Sequence, residues 1–285
     1  MLQVGIIGLG AMGQGMATNL AKAGVLTAIY NRTTEKAQLL GQKLGVFVAI
    51  SPEELASQVN VIFLCVSRDC DVLEIVQALT KTIQAGSVVI DMSTVSSHTA
   101  KQAAAILAKK NVDFLDAPVS GGVEGANSGQ LAMMVGGDVA VLEKVRPILE
   151  TMATRIVHIG QTGTGQATKA VNQIMAAGIN QAVTEALAFA QAQNLPMNKI
   201  IEVISGGAAG NWFLQHRGVT MTQGNYQAGF KLALHHKDLV ICEQMGESVD
   251  VPLPLSTQTR LDYEQLMTDG FGDCDISALY RLKVK

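Results

Sequence analysis

Aromatic side chains are scarce: they make up 4% of the 285 residues, with a single tryptophan. Stacked aromatic platforms for bases or sugars are therefore not expected. Charge is also sparse and nearly balanced. Charged residues make up 16% of the chain, with 21 basic against 24 acidic side chains and a formal net charge of −3. That balance excludes the polybasic footprint of a nucleic-acid or membrane-surface binder. Only four cysteines occur, Cys65, Cys70, Cys242 and Cys274, and no two form a CxxC pair. They are too few for a disulfide framework and read as free thiols of a reducing compartment, so a cytoplasmic protein is expected. No run of about 18 apolar residues is available to cross a bilayer. The first residues lack a basic segment, and Gly8, Gly10 and Gly13 break their apolar run, so no secretory leader is expected.

What the chain has in plenty is apolar side chains, at 48%, and glycine, at 28 residues. At roughly 100–200 residues per domain, its length suggests about two domains. Short, β-branched apolar runs at 4–7, 26–30, 46–50, 61–66, 88–91 and 112–115 read as buried strands. Between them, 12–22, 35–44, 72–81 and 99–109 carry helical spacing. A further strand pair, 131–135 and 156–159, flanks a helix over about 139–152. This alternation predicts an α/β domain, a doubly wound parallel sheet with helices on both faces. After Gly160 the pattern changes. Residues 164–193 contain no strong breaker and end at Asn194-Leu195-Pro196, which predicts one helix of about 45 Å at 1.5 Å per residue. Its apolar residues nearly encircle it, so it is expected to be buried between two lobes or two subunits. The remainder reads as helices with glycine- and proline-containing turns. The expected division is 1–162 for a dinucleotide-binding domain and 163–285 for an all-helical domain that begins with the long helix. The apolar helical half predicts a homodimer or homotetramer.

The glycines fall where a dinucleotide would need them. Gly8-Leu9-Gly10-Ala11-Met12-Gly13 matches GxGxxG, follows the first strand and opens the first helix. Gly8 permits the tight turn, Gly10 lets a pyrophosphate approach the backbone, and Gly13 lets helix and strand pack closely. The helix N-terminus offers N–H groups and a partial positive charge to the phosphates. At the tip of the second strand, where an NAD site usually carries a carboxylate for the ribose 2′-OH, the chain reads Asn31-Arg32-Thr33. Arg32 can pair with a 2′-phosphate, and Asn31 and Thr33 can donate hydrogen bonds to it. NADP is therefore the expected cofactor, with NAD a possible substitute. Further cofactor contacts are expected at strand ends: Cys65, Val66 and Ser67 after the fourth strand, and the Ser93-Thr94-Val95 segment after the fifth.

The turn extends to Gly8-Leu9-Gly10-Ala11-Met12-Gly13-Gln14-Gly15-Met16-Ala17-Thr18-Asn19-Leu20. This string resembles the signature of the β-hydroxyacid dehydrogenases, the family of 3-hydroxyisobutyrate dehydrogenase and tartronate semialdehyde reductase. Three later blocks resemble that family in the same order. They are Asp116-Ala117-Pro118-Val119-Ser120-Gly121-Gly122, the segment from Gly163 to Gln173 that holds Lys169, and Phe230-Lys231-Leu232-Ala233-Leu234-His235-His236-Lys237-Asp238-Leu239. The resemblance implies a Rossmann-type domain, a long linking helix and an all-helical C-terminal domain. The Asn31-Arg32-Thr33 tip is similar to the branch that includes the glyoxylate and succinic semialdehyde reductases. The tail from Asp269 to Leu279 is similar to that of tartronate semialdehyde reductases.

The reaction that this resemblance implies needs a hydride donor, a proton donor for the developing alkoxide and an anchor for a carboxylate. The nicotinamide supplies the hydride. Lys169 is the expected general acid in reduction and base in oxidation. Burial and a nearby helix N-terminus both disfavour its ammonium form and so ease proton transfer. Ser120, Gly121 and Gly122 are expected to present a hydroxyl and consecutive N–H groups to the substrate carboxylate. Asn172 and Gln173 share the helical face of Lys169 and are expected to hold the substrate. Family members often carry Asn at both positions, so Gln173 departs from the pattern. By resemblance, Thr94 meets the nicotinamide end and Lys237 is a cofactor contact. Phe230 and Trp212 fit a pocket wall or core packing equally well. His235-His236 does not predict a metal, because zinc needs three or four convergent ligands and adjacent helical residues point apart.

The expected activity is NADPH-dependent reduction of small carboxylated aldehydes such as glyoxylate, succinic semialdehyde and tartronate semialdehyde. The alternatives are an NAD(P)-dependent 3-hydroxyisobutyrate dehydrogenase, an imine reductase on the same scaffold, and a non-catalytic dinucleotide-binding relative. The presence of Lys169 argues against the last two.

Overall fold

Alternating side chains of the strands feed two separate cores. A computed structural model describes residues 2–284. In β1 (Val4–Ile7), Val4 and Ile6 enter one apolar cluster and Ile7 another. In β4 (Val61–Leu64), Val61 and Phe63 join the first cluster and Ile62 and Leu64 the second. Period-two alternation in strands buried on both faces produces this split. The first cluster is covered by α1 (Ala11–Lys22), α2 (Thr34–Leu44), α6 (Gly122–Ser128) and α7 (Val139–Leu149). The second is covered by α3 (Pro52–Gln58), α4 (Asp69–Leu79) and α5 (Ser97–Ala108).

The remaining strands are β2 (Leu26–Tyr30), β3 (Phe47–Val48), β5 (Val88–Asp91), β6 (Asp113–Asp116), β7 (Val119–Ser120), β8 (Leu131–Gly136) and β9 (Ala153–Gly160). The order along the sheet is β3-β2-β1-β4-β5-β6-β8-β7, and β9 pairs with β8. The strands from β3 to β6 pair in parallel, with β1 at a topological switch point between β2 and β4. This is the Rossmann-type doubly wound arrangement, in which ligands bind beyond the C-terminal strand ends. Two details depart from the all-parallel expectation. β8 runs antiparallel to β6 and β7, and the run at 46–50 shrinks to a two-residue edge strand. Helices α3 and α6 and strand β7 carry no strong periodicity and were not expected. Ser51 caps α3 by accepting from the Glu54 N–H, with Pro52 opening the helix.

The long helix α8 spans Thr164–Ala192, and the chain divides into two compact units at Lys169/Ala170. The division thus falls inside the first turns of α8, later than the 162/163 boundary read from the sequence. The second unit carries α9 (Met197–Ser205), α10 (Trp212–Thr222), α11 (Leu232–Glu247), α12 (Pro254–Thr268) and a 3-10 helix, Ile276–Leu282. Its core gathers Phe213, Leu214, Met221, Leu239, Tyr263 and Leu279.

Within the single chain, α8 buries only part of its surface. Val171, Met175 and Phe189 are exposed, whereas Gln166, Gln173, Asn180 and Thr184 are buried. Those polar groups go under because each finds a partner. Asn180, for example, donates to the Tyr263 hydroxyl and the Ile276 carbonyl at 2.8 Å each.

Candidate active site

The glycine-rich turn joins β1 to α1. Gly8 has φ of +98°, and a Cβ there would lie 2.2 Å from the Cys65 carbonyl oxygen, so only glycine fits. A Cβ at Gly13 would lie 2.0 Å from the Gly8 oxygen, which sets the close approach of α1 to the turn. Gly10, in contrast, faces open space with no atom within 4 Å. It also stands at the N-cap of α1 and supplies no side-chain cap. An uncapped helix end beneath an open glycine fits a dinucleotide pyrophosphate. Leu9 is buried, Met12 half-buried and Ala11 exposed.

Asn31, Arg32 and Thr33 follow the end of β2. The Asn31 side-chain oxygen Oδ1 accepts the Leu9 N–H at 2.9 Å, and its Nδ2 donates to the Thr33 backbone carbonyl at 3.1 Å. Asn31 thus fastens the turn with its side-chain oxygen and one amide hydrogen. Thr33 is exposed at the N-cap of α2 and makes no side-chain cap bond. Arg32 is 80% exposed at its side chain, and its Nη1 lies 3.3 Å from Asp71 Oδ1. Arg68, which follows the end of β4, grips the same carboxylate with two bonds: Nε to Oδ2 at 3.1 Å and Nη2 to Oδ1 at 2.9 Å. The Arg68 hydrogen bonds, with smaller contributions from the charges of Arg68 and Arg32, hold the Asp71 carboxyl below its usual range against the effect of burial. Neither Arg68 nor Asp71 was singled out from the sequence. A basic residue directly after the fourth strand was the available signal.

Beyond β4, Ser67 is exposed while Cys65 and Val66 are half-buried. Burial, reinforced by the charge of Asp91, pushes the Cys65 thiol up to about 12, so it is no nucleophile. The Val66 N–H donates to the Ser93 hydroxyl at 2.9 Å, tying this segment to the loop after β5.

That loop is bound to the start of α8 by one amide. Gln166 donates to the Ser93 carbonyl at 2.8 Å and accepts from the Val95 N–H at 3.2 Å, so it grips the backbone on both sides of Thr94. Asp116, at the end of β6, fixes the same helix start. Its oxygens accept the N–H groups of Gly163 at 2.7 Å and Gln166 at 2.9 Å. Burial pushes the Asp116 carboxyl up, and those backbone bonds pull it back down. Lys169 is buried on this first stretch of α8, three positions after Gln166 and on the same helical face. Beneath the loop, Asp91 is completely buried. Its Oδ1 accepts the Ser93 N–H at 3.0 Å, whereas Oδ2 meets no donor. Burial pushes its carboxyl up to about 7. The sequence reading passed over Gln166, Asp116 and Asp91. A lone glutamine among small residues one helical turn before a lysine was the only hint.

Ser120 ends β7, and Gly121 and Gly122 lead into α6 with φ of +131° and +61°. Both values lie where glycine is favoured. The Asn19 amide donates to the Ala126 carbonyl at 2.8 Å, so the helix that closes this bend is pinned to α1.

In the helical unit the amides of Asn172 and Gln173 are coupled. Asn172 Nδ2 donates to Gln173 Oε1 at 2.8 Å, and Gln173 Nε2 donates to Asp238 Oδ2 at 2.6 Å. Lys237 Nζ lies 2.8 Å from Asp238 Oδ1. Gln173 is buried and its amide is turned to Asp238, while Asn172 is only half-buried. His235 is buried, with its ring nitrogens 3.1 Å from the Tyr263 hydroxyl and 3.2 Å from the Gln173 carbonyl. His236 instead pairs with Glu264 at 3.3 Å. Among the described residues, no group of three or more His, Cys, Asp or Glu is placed to hold a metal. Phe230 packs against the His235 ring at 5.3 Å, and Trp212 is exposed, stacked on His216 at 4.2 Å.

Known proteins match the chain along nearly its whole length. A family model described as "NAD binding domain of 6-phosphogluconate dehydrogenase" matches residues 3–160. A second, described as "NAD-binding of NADP-dependent 3-hydroxyisobutyrate dehydrogenase", matches residues 163–283. An uncharacterized oxidoreductase of Shewanella frigidimarina is 37% identical over 98% of this chain and 97% of its own length. The 2-hydroxy-3-oxopropionate reductase of Escherichia coli is 34% identical over 98% of this chain and 96% of its own. Among solved structures, Mycobacterium tuberculosis 3-hydroxyisobutyrate dehydrogenase with L-serine superposes with a TM-score of 0.91 at 30% identity, covering 99% of both chains.

Proposed function

The chain belongs to the NAD(P)-dependent β-hydroxyacid dehydrogenases of the 3-hydroxyisobutyrate dehydrogenase type, and from that membership we propose that it is an NADPH-preferring reductase of small carboxylated aldehydes. The observation that carries this reading is the buried Lys169, on a helix start that Gln166 and Asp116 fasten to the strand-end loops. The name of the Escherichia coli relative supports the substrate class, since 2-hydroxy-3-oxopropionate is itself a carboxylated aldehyde.

Bound NADPH supplies the hydride to the carbonyl carbon. Lys169 gives its ammonium proton to the carbonyl oxygen, so that an alcohol forms. In the reverse direction it removes that proton from the hydroxy acid. The Ser120 hydroxyl and the N–H groups of Gly121 and Gly122 hold the carboxylate. Asn172 hydrogen-bonds the substrate oxygen, and Gln173 holds the Asn172 amide. The turn from Gly8 through Leu9, Gly10, Ala11 and Met12 to Gly13 receives the pyrophosphate. The segments Cys65-Val66-Ser67 and Thr94 line the dinucleotide, Lys237 contacts it, and Arg32 and Thr33 face the 2′-phosphate. Sparse cysteines, none in a disulfide among the described residues, support a cytoplasmic setting. No helix among the described residues is long and apolar enough to cross a membrane. The exposed Val171, Met175 and Phe189 along α8 support a homodimer or homotetramer.

The test is a panel on wild type and Lys169→Ala: glyoxylate, succinic semialdehyde and tartronate semialdehyde assayed for reduction with NADPH and NADH, and 3-hydroxyisobutyrate assayed for oxidation with NADP+ and NAD+. Turnover of at least one aldehyde should fall about a hundred- to ten-thousandfold in the variant, with NADPH affinity retained. Near-wild-type kcat in Lys169→Ala removes the assigned role. Equal kcat/KM for the two dinucleotides removes the NADPH preference.

A further inference from the structure

We propose that Arg68 is a specificity-determining residue for the dinucleotide: by occupying Asp71 it leaves Arg32 available to the 2′-phosphate. This rests on the NADPH reading above and adds a residue pair to it.

Three side chains carry the inference. Arg32 and Arg68 converge on one carboxylate, Asp71, whose side chain is only 9% exposed. The two guanidiniums do not share it equally. Arg68 makes a two-bond fork at 2.9 and 3.1 Å, whereas Arg32 touches a single oxygen at 3.3 Å and keeps 80% of its side chain in solvent. A fork of this geometry is the strong form of the pair, and a single long contact is the weak form. The carboxylate is thus committed to Arg68, and Arg32 is the partner more readily released.

Position gives this imbalance a consequence. Arg32 directly follows Asn31, whose side chain accepts the Leu9 N–H of the glycine-rich turn. The cluster therefore stands at the strand tip from which NAD enzymes reach the ribose 2′-OH with a carboxylate. An acidic group here favours a hydroxyl and repels a phosphate. Asp71 is such a group, supplied from α4 instead of from the strand tip. With Arg68 in place its charge is covered, and two guanidiniums outweigh one carboxylate. Without Arg68, Asp71 would draw Arg32 back into a closer pair and stand ready to accept a bond from a 2′-OH. The neighbouring Glu74 also lies within electrostatic reach of Arg68, and losing the arginine would leave it uncovered too.

A double-mutant cycle tests this, with 2′,5′-ADP and 5′-AMP as calorimetric probes on wild type, Arg68→Ala, Asp71→Asn and the double variant. Kinetics with NADPH and NADH run in parallel. Arg68→Ala should weaken 2′,5′-ADP by about tenfold or more and leave 5′-AMP within about twofold. Adding Asp71→Asn should recover most of that loss, because the competing carboxylate is gone. The kcat/KM ratio of NADPH to NADH should follow the same pattern. Unchanged 2′,5′-ADP affinity in Arg68→Ala overturns the proposal. So does a loss that Asp71→Asn fails to relieve, and so does an equal loss for both probes, which marks a merely structural role. If wild type binds the two probes equally, the NADPH reading itself fails. If wild type prefers 2′,5′-ADP and Arg68→Ala does too, only the role of Arg68 is lost.

Discussion

At the glycine-rich turn, the groups on offer belong to the backbone, and side chains are absent or face away. At the start of α8, the backbone is held by side chains, with Gln166 gripping both flanks of Thr94 and Asp116 capping the helix. The first region is shaped by steric exclusion: a Cβ at Gly8 or Gly13 would collide with a carbonyl oxygen at 2.2 or 2.0 Å. The second is shaped by hydrogen bonds whose partners are buried and have no alternative donor in water. The difference teaches how each region should fail. A backbone-built site tolerates almost no added atom at its tight positions. A side-chain network tolerates atoms but not the loss of a donor or acceptor.

The largest effect should come from the tight glycine. Gly8→Ala forces a Cβ against the Cys65 carbonyl at a φ that alanine disfavours. It should abolish measurable NADPH binding and lower the melting temperature by several degrees, read by calorimetry and thermal denaturation. Gly10→Ala meets no protein atom and is the sharper half of the contrast. Its melting temperature should stay near wild type while NADPH affinity falls about tenfold, because only the approach of the pyrophosphate is blocked. If Gly10→Ala binds NADPH as wild type does, the open side of the turn is not where the pyrophosphate sits.

Gln166→Leu should act differently. It leaves the Ser93 carbonyl and the Val95 N–H without their partner, at about 1–3 kcal/mol for each buried group. By loosening the loop against Lys169 it should reduce kcat about ten- to hundredfold. NADPH affinity should change by no more than about threefold. A rise in KM with kcat intact would show that the clamp serves binding and not the placement of Lys169.

The smallest and most conditional effect concerns Asp91. Its carboxyl is pushed up to about 7 by burial, against about 4 in an unfolded chain. The proton is bound more tightly in the folded state, so the stability it contributes is full below about pH 4 and is lost as pH rises toward 7. Asp91→Asn should remove this slope. Relative to wild type, the variant should gain up to a few kcal/mol between pH 5 and pH 8, at about 1.36 kcal/mol per pKa unit. Urea denaturation at the two pH values checks it, and parallel curves for both proteins would mean that Asp91 stays ionised throughout.

Much of the fold was legible in the chain. The β-branched runs that became β1, β2, β4 and β5 stand close to where their periodicity put them, and α8 starts at the predicted residue. The glycine-rich turn was legible down to the separate role of each glycine. The shorter pieces were not. Helix α6 and strand β7 are too brief to show a period, and their shape depends on packing against α1 and on pairing with β8. The polar side chains that α8 buries were not legible either, because an amide such as Asn180 counts as polar until a partner such as Tyr263 arrives from far along the chain. Asn31 is a further case. Its amide nitrogen is expected to donate to the cofactor, and the bond its side-chain oxygen accepts from the Leu9 N–H was not legible in the chain.

The turn chemistry, the alternation of strand and helix and the length of the inter-unit helix followed from the chain alone. Each depends on φ freedom or on spacing between near neighbours, quantities that do not change when distant residues move. Which polar side chains are buried, which guanidinium takes Asp71 and which amide grips the loop at Thr94 were decided only on folding. Those choices are contests between partners far apart in the chain, and their outcome exists only once the tertiary structure has brought the partners to hydrogen-bonding distance and removed the water that would otherwise have served them both.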